Sequence, residues 1–350
     1  MTYASHYEPT SFSTGGARPI GPSSYVFDDA YAGEYRFSSG PSLLSLKLQL
    51  KWYTNAGFAG DLLAKKYGRR WSNIDLELIP GEPQMDVIKT VLNGRADFGV
   101  TTGDQLILAL ADGVPLVAIG RVYQENPLAW VSLPSSGIDT PAALAGRRIG
   151  LTEVDDRHVL SAVLAKGGLR IDVPTVRVTG DDLERFLSGE IDAYPIYINT
   201  QGTELDAWAD SHNVRFSYLV PEQLGIHAYS NVYFTTATIV NDHPELVQRF
   251  ATLVSAGWQF ALDSPNRATE VVRAESNTIL RDTLERSVTA TLDLVRPKSG
   301  GFVGEMAVEG WRQTQEMLLH SGQLRMPTRA LDKQFTNKFM EHAHQELRAA

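Results

Sequence analysis

Two stretches of the chain repeat one pattern. Val91–Thr102 reads V-L-N-G-R-A-D-F-G-V-T-T, and Phe186–Tyr197 reads F-L-S-G-E-I-D-A-Y-P-I-Y. Leu92, Gly94 and Asp97 match Leu187, Gly189 and Asp192, each 95 residues later. In both copies an amphipathic run ends at a glycine and a short apolar run follows. Glycine takes the left-handed conformation that closes a helix, so each copy reads as a helix end, a tight turn and entry into a buried strand. The motif alone recurs by chance in α/β proteins. Here the segments upstream correspond too, which predicts a duplicated α/β unit.

Read in order, residues 1–45 are rich in Ser, Gly, Pro and Tyr without a sustained period. They are expected to form a poorly ordered arm, or one lying on the body of the protein. Leu46–Trp52 alternates apolar and polar residues, a strand signal. Residues 58–67 read as a helix, Ile74–Pro80 as a second strand and Gln84–Leu92 as a helix with apolar positions 85, 87, 88, 91 and 92. Ala96–Val100 reads as a third strand, and Thr101–Ala111 starts a helix with Thr or Asp as its cap. Gln124-Glu125-Asn126-Pro127, between two apolar runs, marks a passage to a second lobe. There the order repeats: strand Arg148–Thr152, helix Arg157–Lys166, strand Thr175–Thr179, helix Asp181–Ser188 and strand Ile191–Ile198. Each set is β-α-β-α-β, a parallel unit with right-handed crossovers. After a strand at 214–220, Asn231–Val240 reads as a long β run returning to the first lobe. From His243 onward the pattern is helical, over Leu246–Leu262 and then about 267–274, 279–292, 304–320 and 328–347. The expected fold class is α/β with two lobes and a cleft between them: lobe I from 46–125 and 233–350, lobe II from 126–232.

The chain has no cysteine, which excludes disulfides, thiolate metal sites and thiol nucleophiles. A net charge of −9 without a Lys/Arg-rich run argues against a nucleic-acid partner. No run of about 18 apolar residues predicts a transmembrane helix, and no charged start before an apolar core marks a secretion signal. The eight histidines are scattered without metal spacing, and neither a G-x-S-x-G elbow nor a phosphate loop appears. From these motifs no cofactor, metal or catalytic constellation is expected. The chain is expected to be a monomer and not an enzyme.

Ligands of open α/β sheets bind beyond the carboxyl ends of the strands. The candidate windows are therefore Trp52–Asn55, Thr101–Asp104, Thr152–Asp155 and Tyr194–Asn199. Several blocks then resemble a known family in order and spacing: Leu50–Gly60 (L-K-W-Y-T-N-A-G-F-A-G), Leu92–Val100, Ile191–Tyr197, Phe234–Thr236 with His243–Val247, and Gly257–Leu262. They are similar to the solute-binding proteins of ABC importers, in the NMT1/THI5-like branch of thiamine-pyrimidine-precursor, sulfonate and nitrate binders. The resemblance covers roughly residues 46–325. It implies a type II periplasmic-binding-protein fold, a small organic ligand in the interlobe cleft, an ABC permease as partner and a periplasmic or extracytoplasmic location. Asn199-Thr200-Gln201 departs from the Asn-Glu-Pro of the pyrimidine-precursor binders, and Tyr229-Ser230-Asn231 from their Tyr-Gly-Asp. The two missing carboxylates speak against a cationic or amino-pyrimidine ligand. The yeast-type pyrimidine synthases of the same superfamily use a cysteine cluster and an active-site His after the third strand; this chain has no Cys, and Thr101–Gln105 holds no His.

Trp52, at the end of a strand, either stacks on a planar ligand or closes the core. Asn55 either donates to a ligand or holds its turn. Thr101 and Thr102 precede a helix, where hydroxyls and free N–H groups bind an anion or simply cap. Glu153, with Asp155 and Asp156, either meets a ligand cation or starts the next helix. Tyr194 and Tyr197 lie three apart on a strand and so point to opposite faces, leaving at most one for the cleft. Asn199, Tyr229 and Asn231 complete the ligand-binding candidates. The first expectation is a binding protein that closes on a planar heterocycle or a sulfonate-like solute and delivers it to a permease. The alternatives are an intracellular enzyme on the same fold, of pyrimidine-synthase or desulfinase type, and a ligand sensor.

Overall fold

The computed structural model describes residues 42–349 except 84, 153, 171–172, 180–181, 276–278, 299 and 329–330. The arm expected over 1–45 falls outside the described residues, apart from its last four. Leu44 and Ser45 of those four already belong to β1 (Leu44–Gln49).

Apolar Leu44, Leu46 and Leu48 alternate with polar residues and make β1 a strand. The chain turns into α1 (Ala59–Ser72), which ends at Asn73 in the left-handed region, φ 53°. β2 (Ile74–Ile79) runs parallel beside β1, with Leu46 opposite Leu76. α2 (Val87–Leu92) starts where the Asp86 side chain accepts from Lys89 N–H. It leads through Gly94, φ 66°, into β3 (Phe98–Thr101), parallel on the other side of β1. α3 (Gly103–Ala111) and β4 (Leu116–Arg121) follow.

The second lobe starts with β5 (Leu128–Ser132), β6 (Ile149–Leu151), α4 (Val154–Lys166) and β7 (Thr175–Arg177). α5 (Leu183–Leu187) then turns at Gly189, φ 76°, into β8 (Tyr194–Tyr197). α6 (Gln201–His212) and β9 (Ser217–Leu219) complete it. The repeated aspartate does the same work in both copies. Asp97 Oδ2 accepts from Lys47 N–H at 2.7 Å, and Asp192 Oδ2 accepts from Arg148 N–H at 2.7 Å. Each carboxylate satisfies a backbone donor of the neighbouring strand, and each aspartate N–H answers the same residue's carbonyl. The motif is thus a strand-to-strand clip, which needs the glycine turn to bring the aspartate into place.

The first lobe holds one sheet in the order β2-β1-β3-β10-β4. Its β10 (Val232–Thr236) returns from the second lobe and enters antiparallel between β3 and β4. The second lobe holds β8-β5-β9 and a separate β6-β7 pair. Segments 148–152 and 191–196, expected in one sheet, are joined by a single bridge, Ile149–Ala193. Pro195 supplies the reason. It has no N–H to extend the ladder, and its ring presses on Gly150, where a Cβ would sit 2.7 Å from Pro195 Cδ.

Two other expectations shift. The β run forecast over Asn231–Val240 stops at Thr236, whose hydroxyl accepts from Ile239 N–H and caps α7 (Ala237–Asp242). The helix forecast over 328–347 begins only at Lys338. Before it, Gln334 O accepts from Ala118 N–H and Thr336 N–H donates to Ala118 O, covering the edge of β4. Between these lie α8 (Pro244–Asp263), α9 (Pro265–Glu275), α10 (Arg281–Val295) and α11 (Val308–His320), with α12 (Lys338–Ala349) last.

Candidate functional site

Between the lobes lies a small cavity, partly open to solvent. Strand ends make its walls. Lys51, Trp52, Asn55, Gly57 and Phe58 follow β1. Tyr123 and Asn231 stand on the passages between lobes, and Leu128 opens β5. Thr152 and Asp156 follow β6, and Pro195–Tyr197 with Thr200 and Gln201 lie in and after β8.

The lobes touch across this cavity. Lys51, buried after β1, donates from Nζ to Tyr197 Oη at 2.7 Å and lies 4.7 Å from the centre of that ring. Tyr197 Oη also meets Ser230 Oγ at 2.9 Å. On the second lobe Asp156 is buried, its Oδ2 accepting from Thr152 N–H at 2.9 Å and from the Thr152 hydroxyl. Gln201 Oε1 accepts from Tyr197 N–H at 3.2 Å and from the Thr200 hydroxyl at 2.6 Å. Gly57 is required where it stands, because a Cβ there would lie 2.6 Å from Tyr123 Oη. That hydroxyl donates to Gly57 O at 3.1 Å, and burial pushes its pKa upward.

One layer behind the wall, Asp61 in the first turn of α1 is buried. Its Oδ1 accepts from Tyr233 Oη at 2.5 Å, while Trp258 Nε1 donates to the same phenol oxygen at 2.8 Å. Asp61 Oδ2 has no partner among the described residues. Burial raises the Asp61 pKa to about 7, with the Tyr233 hydrogen bond opposing.

Of the candidates, Trp52, Asn55, Tyr197 and Asn231 line the cavity. Asn55 also holds its turn, Oδ1 accepting from Gly57 N–H at 2.8 Å. The other candidates stand elsewhere. Tyr194 packs on Phe186 in the second lobe's core, as strand alternation requires for the partner of an inward Tyr197. Thr101 is buried in β3, its hydroxyl on Gln105 Oε1 at 3.2 Å. Thr102 is the buried N-cap residue of α3, but its side chain makes no capping bond. Asn199 lies behind the wall, Nδ2 donating to Thr291 Oγ1 at 2.8 Å. Tyr229 faces away, its hydroxyl donating to Ala307 O at 2.9 Å and its ring edge-on to Trp311. Glu153 lies outside the described residues.

Asp156, weighed with Glu153 and Asp155 as a partner for a ligand cation, lines the cavity, whereas Lys51, Tyr123 and Gln201 are not among the sequence candidates. Lys51 has the opposite parity to Leu46, Leu48 and Leu50, so position pointed to it only weakly. Chemically the cavity combines aromatic faces with one cation, one carboxylate and several amide or hydroxyl groups. That suits a planar ligand with acceptors toward Lys51 and donors toward Asp156. Among the described residues, no His/Asp/Glu group is placed to hold a metal ion, and no helix is long and apolar enough to cross a membrane.

The comparisons with known proteins fit this geometry. The family model described as NMT1/THI5 like matches residues 55–268. The 4-amino-5-hydroxymethyl-2-methylpyrimidine phosphate synthase of Legionella pneumophila is 28% identical over 230 residues, covering 64% of this chain and 72% of the relative. The riboflavin-binding protein RibY of Chloroflexus aurantiacus is 22% identical over 262 residues, 69% of this chain and 70% of the relative. Among solved structures, the alkanesulfonate-binding protein SsuA from Xanthomonas axonopodis pv. citri, bound to MOPS, superposes with a TM-score of 0.65 at 16% identity. It covers 85% of this chain and all of that one. The fold is therefore that of the periplasmic binding proteins, as the family resemblance implied. The expectation that the chain is not an enzyme is overturned. Fungal relatives from Aspergillus parasiticus, Uromyces fabae and Schizosaccharomyces pombe bear the same synthase name as the Legionella protein, at 27%, 26% and 22% identity. The absence of a nucleophile elbow, a metal set and a thiol excludes only the chemistry that needs those groups, so it is no ground for excluding catalysis.

Proposed function

The chain belongs to the NMT1/THI5-like family, and from that premise we propose that its interlobe cavity binds a planar nitrogen heterocycle of the pyrimidine class and that the chain is an enzyme working on that ring. One observation carries the reading. Lys51 and Asp156 come from opposite lobes and line a single cavity walled by Trp52 and Tyr197. An aminopyrimidine presents ring-nitrogen acceptors and amine donors in one plane, and those two charges answer both. Asp156 also brings a carboxylate to the cavity, although the turns at 199–201 and 229–231 lack one. The names of the synthase relatives support the same class.

A second reading keeps the cavity and changes its use. The likeness to the alkanesulfonate-binding protein supports a monomeric solute-binding protein that delivers its ligand to an ABC permease from outside the cytoplasm.

The test has two arms. A thermal-shift screen sets 4-amino-5-hydroxymethyl-2-methylpyrimidine and its phosphate against alkanesulfonates. A true ligand raises the melting midpoint by mass action. In parallel, the gene is expressed in a thiamine auxotroph that cannot make the pyrimidine. A pyrimidine-specific shift with growth supports the enzyme. A shift only with sulfonates, and no growth, hands the cavity to the second reading.

A further inference from the structure

A hinged two-lobed protein opens by rotating its lobes about the passages that join them, and it does so readily where the lobes meet over a small or polar surface. Here they meet over a buried apolar one. α3 of the first lobe, α4 of the second and the C-terminal α11 pack against one another. Leu106 and Ile107 from α3, Val159 and Val163 from α4, and Trp311 and Leu318 from α11 belong to one apolar cluster, none more than 3% exposed. At its polar edge Asp104 Oδ2 of α3 meets His158 Nδ1 of α4 at 2.5 Å, with both side chains buried.

α10 makes a second fastening. Asn199, just beyond β8, donates from Nδ2 to Thr291 Oγ1 at 2.8 Å, and the Ser287 hydroxyl donates to Asn199 O at 2.7 Å. Leu294 O accepts from Gln124 N–H on the first passage at 2.7 Å. Further out, Arg286 of α10 pairs with Asp210 of α6 at 3.8 Å. Rotating the lobes apart would wet the apolar cluster and strip Asp104, His158 and Asn199 of buried partners. Both losses oppose opening.

We propose that α10 and α11 are straps that keep the two lobes closed without ligand, so that the cavity is preformed and its ligand enters by local movement at the rim. This goes beyond the binding reading and holds for either use of the cavity. Solute delivery needs lobes that part, whereas a fixed cavity suits chemistry on a bound ring.

The absence of native cysteine allows clean labelling. Arg95 and Arg170 are exposed and precede β3 and β7, so they stand at the ends of their lobes away from the cleft. Spin labels on Arg95→Cys and Arg170→Cys in the full chain, extensively dialysed and with no ligand added, report the lobe angle by pulsed electron-spin distance measurement. The straps predict one narrow distance in the otherwise unaltered protein. They predict a second distance when Asp104→Asn is combined with His158→Gln, or Ser287→Ala with Thr291→Val. Two distances in the otherwise unaltered protein would overturn the proposal, and so would a single distance that survives both folded double variants. If a double variant fails to fold, the distribution in the protein that keeps its native straps decides alone.

Discussion

Trp52 shares the parity of Leu46, Leu48 and Leu50, which places it in the core-facing set of its strand. Yet it sits just beyond β1, where that face opens into the cavity, and it is only partly buried, its ring edge-on to Tyr53 at 5.4 Å. If the ring is a stacking platform, Trp52→Ala should weaken binding by about 1–3 kcal/mol while the protein still folds. Calorimetric titration with the compound found by thermal shift is the check; equal affinities would return Trp52 to a packing role. Asp61 offers a prediction about stability. Its carboxyl has an ordinary value of 3.8 and is raised to about 7 when folded, chiefly by burial. The folded state therefore holds a proton that the unfolded state releases between those values. The acid's contribution to stability is fully present below pH 3.8 and lost as pH rises through about 7. Asp61→Asn keeps an oxygen to accept from Tyr233 and removes the titration. It should raise the unfolding free energy at pH 8 by a few kcal/mol in order of magnitude, and much less at pH 5. Urea titrations of both proteins at the two pH values test this, and a gain equal at both would sink it.

At the scale of elements, much of the first lobe was legible because its signals are local. Alternation marked β1 and β2, the 3.6-residue period marked α1 and α8, and the glycine turns marked the entries to β3 and β8. What escaped was set by distant partners. The run after Asn231 is rich in β-branched residues throughout, and only the Thr236 cap divides strand from helix. Segment 328–337 has a helical pattern, but the bare edge of β4 claims its backbone around Gln334 and Thr336. The α1–α8 contact was equally hidden, since nothing local distinguishes Gly60 or Gly257 from other helical glycines. In the folded protein a Cβ on Gly257 would come 2.1 Å from Gly60 O, and one on Gly60 would meet the Trp258 ring at 2.1 Å. Both contacts are with rigid groups at the heart of the lobe. Gly257→Ala should therefore destabilise by about 1–3 kcal/mol through overpacking, despite the better helix propensity of alanine. A denaturant midpoint at or above the parent's would show that the two helices can part without cost.

At the scale of the molecule, the cavity was harder to read than the strands around it. Strand ends pointed to Trp52, Asn55 and Tyr197 and the acidic cluster to Asp156, while Lys51 was hidden by its parity and Tyr123 reaches the same space from the outgoing passage, which only the assembled lobes reveal. Asn231 is where the two passages between those lobes are tied together. It stands on the return passage with φ 53°, lines the cavity, and its carbonyl accepts from Val122 N–H of the outgoing passage at 2.7 Å. Asparagine reaches the left-handed region more easily than most residues and glycine does so freely, whereas a β-branched side chain is strained there. Asn231→Gly should leave the melting midpoint close to the parent's, because relief of the backbone offsets the greater freedom of the unfolded chain. Asn231→Val should lower stability by about 1–3 kcal/mol. It should also loosen the Val122 bond, so ligand affinity should fall further than in Asn231→Gly, which lacks the same side-chain amide. Thermal melts and titrations of the two variants side by side separate the effects. If valine proves as stable as glycine, the left-handed turn is not what holds the passages together, and the loss of affinity in both variants would belong to the amide alone.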